Sequence, residues 1–128
     1  MMASWKALAI RHLSEYRAMV RAVRVLPGEI RRCQSRAALD SDARLDALAR
    51  RTTLQHQLKF AREQVAATEK ALQLLTEEEY MVVEMLYIAP GRGHVERLCQ
   101  ELHCEQATIF RRRDSALRKI TLALAGRG

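Results

Sequence analysis

The densest chemistry in the chain lies between His94 and Arg118. His94, Cys99, His103 and Cys104 bring four metal-capable side chains into eleven residues, and the triplet Arg111-Arg112-Arg113 follows close behind. Zinc is the natural thought, but this spacing matches none of the common finger or ribbon patterns. The apolar pattern around Cys99 and Cys104 also gives both thiols packing duties. Neither a metal nor any other cofactor is expected. Catalytic signatures are missing too: there is no glycine-rich phosphate loop, GxSxG elbow, HExxH helix or paired-carboxylate arrangement. Glu77, Glu78 and Glu79 are consecutive, so on a helix they point in different directions, and His12 and His56 stand alone. An enzyme is not expected.

The arginine triplet reads differently once its neighbours are included. From His94 to Ile120 the chain runs HVERLCQEL, HCE, QATIFRRRDSALRKI: a short helix, a three-residue break and a longer helix, the pattern of a helix-turn-helix. Val95, Leu98 and Leu102 supply the apolar side of the first helix, Cys99 is small enough for a close crossing, and Cys104 fills the turn. At about 100° per residue, Ile109, Ala116, Leu117, Ile120 and Leu124 gather on one side of the second helix. Ala107, Thr108, Arg111, Ser115 and Arg118 gather opposite, flanked by Arg112. Small residues allow close approach to a major groove, arginine pairs bidentately with guanine edges, and Thr or Ser reaches bases or phosphates. Gln106, at the amino-terminal end, has the geometry to bond adenine. The expected DNA-contacting set is therefore Gln106, Ala107, Thr108, Arg111, Arg112, Ser115 and Arg118. Arg113 falls in the apolar arc, where it must snorkel outward or meet an acid from an earlier helix.

The elements that must position this face are all helical. Ala, Leu, Arg and Glu dominate, Gly and Pro number only 5 and 2, and no alternating run reads as a strand. A first helix is expected over about 3–25, with Trp5, Leu8, His12, Tyr16, Met19, Val23 and Leu26 on its apolar face. Pro27 and Gly28 end it and open a short second helix to about Ala38. Asp40-Ser41-Asp42 offers N-cap chemistry for a long third helix. That helix carries Leu54, Leu58, Ala61, Val65, Thr68, Leu72 and Leu75 as a heptad-like seam, to be covered by the chain's own first helices or by a second copy in a homodimer. Thr76 and Glu79 form a capping box, with Leu75 and Tyr80 as its hydrophobic staple. The helix they start turns Tyr80, Val83, Leu86 and Tyr87 inward and stops before Pro90. The organisation expected is all-α: a helical hairpin or bundle over 1–74 for oligomerisation or interaction, and a helix-turn-helix domain over 75–128.

Lysine and arginine total 22 against 15 acids, a net charge of +7, which favours a polyanionic partner. Between Met1 and Ala38 eight basic residues face only Glu15 and Glu29. Three cysteines without a CxxC pair argue against a disulfide framework and for a reducing, cytoplasmic setting. No apolar run approaches the ~20 residues that span a bilayer, so no membrane partner is expected.

The stretch from Leu75 to Gly126 resembles region 4 of sigma-70-type factors, above all the small phage regulators of the ArpU and RinA late-gene type. The matching residues are Leu75-Thr76-Glu77-Glu78-Glu79, the Val95, Leu98 and Leu102 skeleton, Thr108-Ile109-Phe110-Arg111 and Ala116-Leu117-Arg118-Lys119-Ile120. Leu26-Pro27-Gly28-Glu29-Ile30 and the helix ending in Ala71-Leu72 are loosely similar to that group's helical lead-in. The resemblance implies a phage or prophage transcription regulator that binds double-stranded DNA, with Gln106 to Arg112 in the groove-reading position and RNA polymerase as a further partner. Three residues depart from the pattern, Phe110 among them, since that position is polar in many sigma factors and aromatic in some phage relatives. Glu105 stands where Ser or Thr normally caps, and His103 replaces the glycine of the turn. Two other functions fit the same layout: a phage DNA-packaging factor of the small terminase kind, and a helical adaptor that binds polymerase or a sigma factor without touching DNA.

Overall fold

The computed structural model describes residues 4–39 and 43–126. The fold is all-α: α1 (Ala7–Leu39), α2 (Arg44–Leu72), α3 (Glu77–Val83), a π-helical turn (Glu84–Ile88), α4 (His94–Leu102) and α5 (Gln106–Ala125). The chain divides into two compact units, a hairpin unit of Arg17–Val65 and an end unit of Met1–Tyr16 with Ala66–Gly128. A cut at 74/75 was expected. The difference arises because the first turns of α1 and the last turns of α2 supply core to the end unit: Ala9, Leu13, Ala67 and Ala71 are buried with Val83, Ile88, Leu117 and Ile120.

In the hairpin unit, α1 continues through Pro27 instead of ending there. A proline inside a helix costs about 3 kcal/mol. Against that, Ile30 and Cys33, one and two turns beyond it, are buried with Leu26 against Leu54 and Leu58 of α2. Burying such side chains contributes about 1.5–3 kcal/mol each, enough to carry the helix across the break. The expected short second helix is therefore part of α1. Its own chain covers the α2 seam, in which Leu54, Leu58, Ala61 and Thr68 are buried. The Asp40-Ser41-Asp42 cap lies outside the described residues.

The buried face of α1 in the end unit is also shifted from the expected one. Ala9 and Leu13 are fully buried while Trp5, ahead of the helix, is exposed. Alanines at 9, 67, 71 and 116 let these helices approach closely. Tyr16 donates to Glu69 at 2.9 Å, and burial, then that carboxylate, pushes its hydroxyl up to about 12.

The Thr76 capping box forms as expected: the Glu79 amide donates to Thr76 Oγ1 at 3.2 Å, and the Thr76 amide to Glu79 Oε1 at 2.9 Å. Of the staple residues, Leu75 packs against the core while Tyr80 is 40% exposed, and Val82 and Val83 are the fully buried residues of α3. After Val83 the backbone widens, with the Ala89 amide donating to the Glu84 carbonyl five residues back. Val83 and Ile88 thereby enter one core cluster. On an α-helix, residues five apart diverge by about 140°, so the wider turn is what brings both inward.

Candidate nucleic-acid interface

Two helices joined by a three-residue break form the candidate interface. Leu98 and Ile109 meet Val82 in a buried cluster, with Cys99, Leu102 and Cys104 packed against it. Cys99 and Cys104 thus lie in apolar packing, as the sequence pattern implies. The break depends on His103, which adopts φ 52° and ψ 47° in the left-handed region and donates its amide to the Cys99 carbonyl. A glycine would hold this geometry without Cβ strain. Glu105 is extended and caps α5 with its carbonyl alone, accepting from the Thr108 and Ile109 amides at 3.0 and 3.2 Å. Its side chain makes no capping bond.

Along α5 the seven expected contact residues separate into two groups. Gln106, Ala107, Arg111 and Arg118 are exposed. Arg111 Nη2 donates to Thr108 Oγ1 at 3.3 Å, so Thr108, half-buried, serves as a support for that guanidinium. Arg118 lies 5.6 Å from the centre of the Trp5 ring, a distance at which the ring face attracts a cation.

Arg112 and Ser115 are held by α3. Arg112 is ion-paired with Glu78, and the Ser115 hydroxyl donates to Glu79 Oε2 at 2.7 Å. Lys119 donates to the other Glu79 oxygen, also at 2.7 Å. Glu79 is buried and fully engaged, capping α3 with one end of its hydrogen-bond set and gripping α5 with the other. Burial by itself raises its carboxyl, but the bonds from Lys119, the Thr76 amide and Ser115 outweigh that and bring it down to about 2. A wheel for α5 alone cannot register α3 lying along its flank, so the bonds of Arg112 to Glu78 and of Ser115 to Glu79 are not legible in it. Glu79 itself was legible only as a cap.

Arg113 is partly exposed, in keeping with an outward-reaching side chain. Its partner is the adjacent Asp114, 3.0 Å away, and its guanidinium sits 4.8 Å over the Phe110 ring. No acid from an earlier helix is needed. Lys6 reaches the same Asp114 at 3.0 Å and, with help from Arg113, holds that carboxyl below the ordinary range. The outward strip of α5 that remains is Ala107, Arg111 and Arg118, with Gln106 exposed at the helix start and Leu122 exposed beyond them. Trp5 and Leu122 are its apolar additions, and neither carried a spacing signal toward α5.

Among the described residues no group of three or more His, Cys, Asp or Glu is arranged to hold a metal ion, and no helix is long and apolar enough to cross a membrane. Comparison with protein-family models, curated proteins and solved structures finds no match.

Proposed function

We propose that this protein is a sequence-specific double-stranded DNA-binding regulator of transcription, in which α4 and α5 act as a helix-turn-helix of the sigma-region-4 kind. The observation that carries the reading is the outward strip of α5. Gln106, Ala107 and Arg111 are exposed within its first two turns, directly after a three-residue break braced by a buried Leu98–Ile109–Val82 cluster. In a recognition helix the first turns meet base edges. A small residue beside an arginine held in place by Thr108 suits bidentate pairing with guanine. Arg118, farther along the same strip, falls where a phosphate contact positions the helix. Arg112 and Ser115 serve as braces to α3 and not as readers. Contact with RNA polymerase and a phage or prophage origin belong to the same proposal.

Selection of bound duplexes from a random pool, followed by fluorescence anisotropy on the selected site, tests it. A consensus should emerge. Arg111→Ala should relax preference at one base, and Arg118→Ala should weaken all sequences evenly. Failure to enrich any site, or indifference of binding to both substitutions, overturns the reading.

A further inference from the structure

Because α1 runs unbroken through Pro27, arginines that a helix break would have separated come to lie on one line. Arg17, Arg21, Arg24 and Arg31 follow one another at intervals of four, three and seven residues, with Gly28 in the gap. At about 100° per residue they share one face, and Arg32 flanks it. All five are exposed. From Arg17 to Arg32 the helix rises about 22 Å at about 1.5 Å per residue.

Charge balance makes this stripe unusual. The 17–65 segment holds eleven of the 22 basic residues and five of the 15 acids, so its net +6 is nearly the whole +7 of the chain. From Arg17 to Leu39 the one acid is Glu29. Among the described residues none of the five arginines has a carboxylate partner. Over the bare backbone of Gly28 two guanidiniums converge: Arg32 Nη1 and Arg31 Nη2 lie 3.6 and 3.7 Å from where a Cβ would stand. Like charges three and four apart weaken a helix, and a solvated charged face is normally mixed in sign. A stripe of one sign at helical spacing fits a partner that supplies the opposite charge at regular intervals.

We propose that this stripe is a second nucleic-acid contact, which grips the phosphate backbone of duplex DNA without regard to sequence. It rests on the reading above in taking a duplex as the polyanion. One strand carries a negative charge for about every 3.4 Å of axis, so about 22 Å of stripe faces about six phosphates. An anionic lipid surface suits the stripe less well. A helix that lies in a membrane needs its apolar face free, and here Leu26, Ile30 and Cys33 are packed against α2. The stripe supplies what the end unit lacks, since the segments flanking 17–65 hold eleven basic residues against ten acids.

The test uses the full chain, a labelled duplex of random sequence, the selected duplex and phosphatidylserine vesicles. R17Q/R21Q/R24Q removes three charges at exposed positions, and R17K/R21K/R24K keeps them. Between about 50 and 200 mM salt, log K against log salt for the glutamine variant should be shallower than for the native chain by about 2.7, or about 0.9 per lost phosphate contact. The lysine variant should match the native slope, and preference for the selected site over random duplex should be unchanged in both. An unchanged slope in the glutamine variant overturns the proposal. So does equal loss in the lysine variant, or loss confined to vesicle binding. A chain that enriches no preferred site yet shows the slope difference would overturn the transcription reading alone. A chain that selects a site with a slope independent of the stripe would overturn the stripe alone.

Discussion

In the end unit, four cations are paired with acids: Arg112 has Glu78, Lys119 has Glu79, and Lys6 and Arg113 share Asp114, while Arg111 and Arg118 stay exposed on α5. In the hairpin unit, Arg17, Arg21, Arg24, Arg31 and Arg32 stand exposed along one helix face with no carboxylate partner among the described residues. The cores differ in parallel. Leu13, Leu98, Ile109, Leu117 and Ile120 of the end unit are completely buried, whereas the hairpin unit relies on Ile30, Cys33, Leu54 and Leu58, each slightly exposed. A densely packed unit with nearly balanced charge holds a few side chains in fixed positions, as base readout demands. A thinly packed one with open charge can offer long-range attraction but little geometric discrimination. Rigidity and electrostatic reach have been assigned to different stretches of one chain.

Several substitutions would break or sharpen that contrast. The largest effect is expected from Leu117→Ala, which hollows the fully buried core and should cost about 2–5 kcal/mol in denaturant unfolding. Leu54→Ala should fall at or below the lower end of that range, and a reversed order would break the contrast in packing. Next comes Glu79→Gln. The folded carboxyl sits at about 2 against an ordinary 4.5. Its contribution is therefore present above the ordinary value and lost as pH falls through 4.5 toward 2. Removing the charge should cost about 2 kcal/mol at neutral pH, and stability followed by circular dichroism should become flatter across that acid window. A variant as acid-sensitive as the native chain would show that the Lys119 and Ser115 bonds are not what lowers the group.

Arg111→Ala should cost about 1–3 kcal/mol of discrimination at one base pair, read from competition between duplexes, while stability hardly changes. His103→Gly relieves a left-handed non-glycine residue, and calorimetry should find the protein more stable by about 1 kcal/mol. Smallest of all is the expected change in stability for R17Q/R21Q/R24Q. Exposed substitutions of this kind usually stay within about 0.5 kcal/mol each. A large loss would mean that these arginines hold the hairpin together, and the two units would then treat charge alike.

Much of the fold was legible because its signals are local. The Thr76–Glu79 capping box, the three-residue break after Leu102 and the buried arc Ile109, Ala116, Leu117, Ile120 and Leu124 depend on residues within a few turns of one another. Misreadings came where distant packing outweighed a local preference. Pro27 and Gly28 ended a helix by propensity, yet Leu54 and Leu58 held it together. Tyr80 was expected to face inward, yet it is 40% exposed while Val82 joins Val83 in full burial. The bonds of Arg112 and Ser115 to acids of α3 were not legible either.

What the sequence by itself determined is the all-α class, the α4–α5 pair with its three-residue break, and the excess of positive charge near the amino terminus; the left-handed backbone of His103 came from the structure. Periodicity, capping and composition are properties of neighbours along the chain and can be read there. Only the tertiary structure decided that Glu79 braces α5, that Arg112 and Ser115 bond to acids of α3 while Gln106, Ala107, Arg111 and Arg118 stay exposed, and that the α1 arginines form one line. Each of those depends on which distant side chains are brought together to bury apolar surface and satisfy buried polar groups, and no local pattern records that.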